Sequence, residues 1–182
     1  MDDEKPDTAV RHGKAALTWI SLAARVILGG AILYAGLIKL PDLSQSVTAV
    51  RAYQLPWPGW IDTAAGYGMP IAEVILGAAI LAGLFTRWTA MLGALMMLVY
   101  IGLISSAWAR GLAINCGCFS PGGFLPPGES TKYLQDILRD IGLTICGVWL
   151  MIWPRSVFSV DGWIAGADAG VDADQDDDTD AA

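Results

Sequence analysis

Four stretches of this chain, Leu17–Leu40, Gly66–Phe85, Trp88–Trp108 and Tyr133–Trp153, are apolar over lengths that match a bilayer. A helix rises 1.5 Å per residue, so about 20 residues cross the hydrocarbon core. Inside hydrocarbon the backbone must satisfy its own hydrogen bonds, which leaves helices as the structure for such runs. The chain is therefore predicted to be all-α, an integral membrane four-helix bundle over residues 17–154. A polar tail without a fold is predicted at 1–16, where His12 reads as a solvated surface residue, and an acidic one at 155–182. The first run covers 24 residues and ends at Lys39 and Pro41 with no small-residue cleavage site, which does not suit a cleavable signal peptide.

Between the first two runs, Leu43, Val47 and Val50 recur at helical spacing ahead of Leu55-Pro56-Trp57-Pro58-Gly59-Trp60. This predicts a short helix lying on the membrane surface, then a proline-broken turn. Trp57 and Trp60 suit the headgroup level, where amphipathic rings concentrate.

The charges inside the runs need partners, because an intramembrane ionisable group faces the protein interior, a polar cavity or an interface. Arg25 and Lys39 lie in the first run and Glu73 in the second, so Glu73 is the natural partner of either cation. Asp136, Arg139 and Asp140 open the fourth run on one face. Arg25, Lys39, Glu73, Arg139 and Asp140 are expected to form a polar interior beneath the third loop. The net charge of −7 is a property of the tail, since residues 161–182 hold eight Asp and no Lys or Arg. The rest of the chain is close to neutral, and no nucleic-acid partner is implied.

Chemistry concentrates in the loop from Ala109 to Thr131, at Asn115-Cys116-Gly117-Cys118-Phe119. A disulfide needs Cα atoms about 4.4–6.8 Å apart, which residues i and i+2 reach only in a bent backbone that Gly117 eases. Strained or exposed disulfides tend to be the labile or catalytic ones. The alternatives are two small packed residues or a static staple. Arg110 and Lys132 would favour a thiolate if the loop folds them close. Cys146, inside the fourth run, is expected to be a packing residue. Two Cys without nearby His fall short of a structural zinc site, so no metal is predicted.

Four spans place both termini on one side. Apart from Arg25 within the first run, lysine and arginine divide five to five between the two sides. The first helix, Arg87 in the short second connection, and the persistence of disulfides on the oxidising side place the termini in the cytoplasm and the thiol loop outside.

The pattern of Arg25, Gly29, Gly36 and Lys39, then Glu73, Gly83 with Arg87, Cys116-Gly117-Cys118-Phe119 and Arg139-Asp140 resembles the MauE branch of the DoxX-like membrane proteins. The likeness runs over roughly residues 17 to 154. Ser120 stands where that family often continues with glycine, and the Pro/Gly stretch behind it lengthens the loop. The resemblance implies a bacterial cell membrane protein with redox associations and thioredoxin-like partners. It also implies a part in maturing a disulfide-rich exported protein, the small subunit of methylamine dehydrogenase in the named family. Three functions stay open at this point. The first is thiol–disulfide exchange at Cys116 and Cys118, with a quinone as an acceptor by analogy with other four-helix disulfide-forming enzymes. The others are a non-catalytic assembly or chaperone factor, and a small transporter.

Overall fold

A computed structural model describes the backbone of residues 5–117, 122–125 and 130–154, with side chains from residue 16. Cys118 and the acidic tail from residue 155 lie outside the described residues. The elements are α1 (Lys5–Lys39), a 3-10 turn (Leu40–Asp42), α2 (Leu43–Ala52), α3 (Gly59–Ala82), α4 (Thr86–Ala109), β1 (Ile114–Asn115), β2 (Gly123–Phe124) and α5 (Tyr133–Ile152).

Local chemistry sets these boundaries. Pro41 lacks the N–H that would continue α1, and Asp42 then caps α2, its Oδ1 accepting from Gln45 N at 3.1 Å and from Ser44 Oγ at 2.6 Å. Pro56 and Pro58 separate α2 from α3. α3 ends where Gly83 turns to φ +69° and Leu84 N returns to Ala79 O at 3.0 Å, a left-handed cap that glycine adopts without Cβ strain. The backbone of α1 is helical from Lys5, which corrects the expected fold-free tail over residues 5–16. Extending an existing helix adds one hydrogen bond per residue without a new nucleus, and Pro6 sits where a first turn tolerates it.

α1 packs along α3 and α4 along α5, and contacts of α1 with α5 and of α3 with α4 join the two pairs. Small residues set the α1–α3 spacing. A Cβ on Gly77 would lie 2.5 Å from Leu33 N, and one on Gly36 would lie 2.8 Å from Pro70 O. α2 folds back onto α3 in the same way, since a Cβ on Gly66 would lie 2.5 Å from Val47 Cα. The shared core runs through Leu28, Ile32, Ile80, Ala90, Ile104 and Leu150.

Three helical stretches, Ala16–Ala52, Gly59–Ala82 and Thr86–Ala109, are long and apolar enough to cross a membrane. α5 has 20 residues but carries Asp136, Arg139 and Asp140 in its first two turns, which sets it apart from those three.

Candidate functional site

The third loop is folded rather than open. β1 and β2 pair antiparallel, Ile114 opposite Phe124 and Asn115 opposite Gly123, an element that the glycines and prolines of the loop did not advertise. Gly117 (φ +72°) and Gly122 (φ +70°) both take left-handed conformations, and a Cβ on Gly122 would lie 2.7 Å from Ala49 Cβ and 2.8 Å from Gly117 Cα. The loop thus lies directly on α2. Two side chains hold it there: Tyr53 Oη donates to Cys116 O at 3.0 Å, and Gln45 Nε2 donates to Gly122 O at 3.0 Å. From the other side Ile114 N donates to Tyr133 Oη at 3.1 Å, and that hydroxyl donates in turn to Leu112 O. Cys116 is half-buried in this framework, at the edge of the core.

Beneath the loop lies a buried charge cluster. Lys39 Nζ contacts both oxygens of Glu73, at 2.8 and 2.9 Å, and Tyr100 Oη donates to Glu73 Oε1. The Lys39 ammonium also stands 5.8 Å from the Tyr100 ring centroid, within cation–π range. The Glu73 side chain is 0% exposed and that of Lys39 is 13% exposed. Helix register explains the pairing. Gly36 on α1 faces Pro70, Glu73 and Val74 on the antiparallel α3, so Lys39, one turn further along α1, is near enough for its long side chain to reach back to Glu73.

Cys116 and this cluster border the same cavity. A pocket of about 250 Å³ between α2, α3 and α4 is lined by Lys39, Tyr53, Trp57, Met69, Tyr100 and Cys116, with Ser46 and small or aliphatic residues completing its walls. It places a thiol-bearing residue, two phenols and an ammonium around one largely apolar space.

The remaining charged candidates lie elsewhere, and the single polar interior expected from the sequence divides into three places. Arg25 is 1% exposed and packs against Gly83, where an added Cβ would lie 2.5 Å from its Nη1. That is the C-terminal end of α3, where the helix dipole favours a cation. It is also 14 residues, about 21 Å of helix, from Lys39. Arg139 stays within α5, its Nε and Nη2 donating to Asp140 Oδ1 at 3.0 and 2.9 Å and its Nη1 to Asp136 Oδ1 at 3.0 Å. Asp140 Oδ2 is buried with no hydrogen-bond partner among the described residues. Arg110 directs its guanidinium to Gln54 O at 3.1 Å and Ser106 O at 3.2 Å, and Lys132 is exposed ahead of α5. Cys146 packs against the core, 13 residues or about 20 Å of helix beyond Tyr133. Among the described residues, no group of His, Cys, Asp and Glu is placed to hold a metal ion.

Sequence reasoning missed Tyr100 and Tyr53. Tyr100 had a signal: it is the one tyrosine of the third apolar run, and a buried phenol needs a partner. Tyr53 had none, since its partner lies 63 residues away.

The family model described as methylamine utilisation protein MauE matches residues 17–153, which take in α1 from residue 17 onward, the later helices and the loop between α4 and α5. No curated protein and no solved structure matches the chain.

Proposed function

From the premise that the chain belongs to the methylamine utilisation protein MauE family, we propose that it is a multi-pass thiol–disulfide exchange protein of the bacterial cell membrane, acting through Cys116 and Cys118. The observation that carries this reading is the position of Cys116, half-buried in a clamped loop above an apolar cavity that also reaches Lys39 and Tyr100.

In this reading α5 is the fourth span. Its outward face supports that: Leu138, Ile145 and Ile152 are each close to 60% exposed and apolar, while Asp140 is buried. Soluble monomers rarely expose so much apolar surface. α2 then lies at the membrane surface, both termini are cytoplasmic, and the thiol loop faces the oxidising side.

The reaction is exchange through a mixed disulfide. A thiolate of a thioredoxin-like partner or exported client attacks one sulfur of the Cys116–Cys118 disulfide, releasing the other as a thiolate. A second thiol of that protein then attacks the mixed disulfide, leaving the partner with a disulfide and the membrane protein with a dithiol. The family's description, methylamine utilisation protein, supports a client that belongs to that metabolism. Tyr53 and Gln45 hold the loop so that Cys116 presents its sulfur without further ordering.

A Cys118→Ser chain, expressed with its exported partners, should accumulate a reductant-sensitive adduct on Cys116, and the double Cys→Ser variant should form none. Absence of any adduct, with function intact in the double variant, would overturn the exchange reading. Loss of client abundance without an adduct would instead favour a holding factor.

A further inference from the structure

Each client disulfide made by the proposed exchange leaves two electrons and two protons on the thiol pair, so turnover needs an acceptor. Resting on that exchange reading, we propose that the cavity beside Cys116 binds the ring of a lipid-soluble quinone, which is that acceptor.

Three observations point to this class of ligand. The walls are largely apolar, and Val99, which lines the cavity, is also 46% exposed, so a single side chain separates the space from the surface of α4. Its size, about 250 Å³, lies just below the roughly 300–1,000 Å³ of pockets for drug-sized ligands, which suits a single ring with its tail left in the bilayer. The polar groups stand where ring oxygens need them. An ammonium carries three N–H donors, and the two Lys39 hydrogen bonds to Glu73 leave one to donate to a ring carbonyl. Cys116 borders the same space.

In the reoxidation step the S–H bonds of reduced Cys116 and Cys118 break and one S–S bond forms. The two electrons and two protons pass to the quinone, whose two C=O oxygens become the O–H groups of a quinol. Glu73 and Tyr100 act through Lys39 as positioning residues, holding its ammonium at the cavity wall.

The test uses the purified full-length chain in nanodiscs, reduced and kept anaerobic, with decylubiquinone as the probe. Saturable quenching of tryptophan fluorescence is expected, diminished in Trp57→Phe, together with the loss of two titratable thiols per chain that the Cys116→Ser/Cys118→Ser chain does not show. Leu103 also lines the cavity, and Leu103→Phe fills that space and leaves the thiols in place. It should slow quinone-driven oxidation about tenfold or more, while exchange with a small soluble disulfide stays at the wild-type rate and helix content is unchanged. If decylubiquinone neither quenches nor oxidises the wild-type chain while exchange with the soluble disulfide proceeds, the quinone proposal is wrong and the exchange reading stands. If exchange itself fails, the earlier reading falls as well. Equal quenching by decylubiquinone and by Trp57-independent collision, or displacement by dodecanol with no thiol loss, would mark an alkyl-chain site and overturn the proposal.

Discussion

Replacing Lys39 by methionine keeps the length of the side chain and removes the charge, which leaves the fully buried Glu73 carboxylate with the hydrogen bond from the Tyr100 hydroxyl. Breaking a buried ion pair by removing one partner costs about 3–5 kcal/mol, because the surviving charge stays desolvated. The reverse change, Glu73→Gln, should cost less. The Lys39 side chain is 13% exposed, at the loop end of α1, and can carry its ammonium toward the interface, whereas Glu73 has no such exit. About 1–2 kcal/mol is expected for it, close to the loss of a charged hydrogen bond. The double variant removes both charges and should be more stable than Lys39→Met alone, giving a coupling of about 2 kcal/mol or more. That exceeds the roughly 0.6 kcal/mol average of ordinary hydrogen bonds between membrane helices. Reversible unfolding in mixed micelles, run as a double-mutant cycle, measures all four corners. Additive single effects below about 1 kcal/mol would refute the premise that this pair is buried and mutually dependent.

Other outcomes follow from named contacts. Gly77→Val would press its side chain into the Leu33 backbone, 2.5 Å from the added Cβ, so α1 and α3 must separate; a loss of about 3 kcal/mol is expected in the same unfolding assay. Tyr53→Phe removes the donor to Cys116 O and should raise the rate of maleimide labelling at reduced Cys116 about two- to tenfold, matching the net worth of one hydrogen bond. Asp42→Ala removes the cap of α2, and hydrogen exchange at the Gln45 amide should quicken while amides in the middle of α4 keep their protection.

Much of the architecture was legible because hydrocarbon allows few solutions. The apolar runs located α1, α3, α4 and α5 to within a few residues of their observed limits, apart from the starts of α1 at Lys5 and of α3 at Gly59, where helical turns precede the apolar runs. The surplus of helix at the start of α1 was hidden because composition reports packing rather than backbone propagation. Glu73 announced a need for a cation, but Arg25 and Lys39 lie four turns apart on one helix. The choice between them rests on the tight approach of α1 to α3 at Gly36 and Gly77, a three-dimensional register that no local pattern encodes. Asp136, Arg139 and Asp140 were legible as one helical face, and their ion pairs are indeed within α5. The seat of the thiol loop was not legible. Its strands are two residues each, and its fastenings, Tyr53 to Cys116 and Gln45 to Gly122, join residues 63 and 77 positions apart.

The most direct test of the central claim is differential alkylation of the wild-type chain in whole cells: a membrane-impermeant maleimide applied before and after reduction, during client turnover and at rest. The account predicts that Cys116 and Cys118 are reached from outside the cytoplasm, resist labelling at rest until reduced, and pass through a labelled dithiol state while the client acquires its disulfides. Labelling only from the cytoplasmic side, or a thiol state that stays the same throughout turnover, would contradict it.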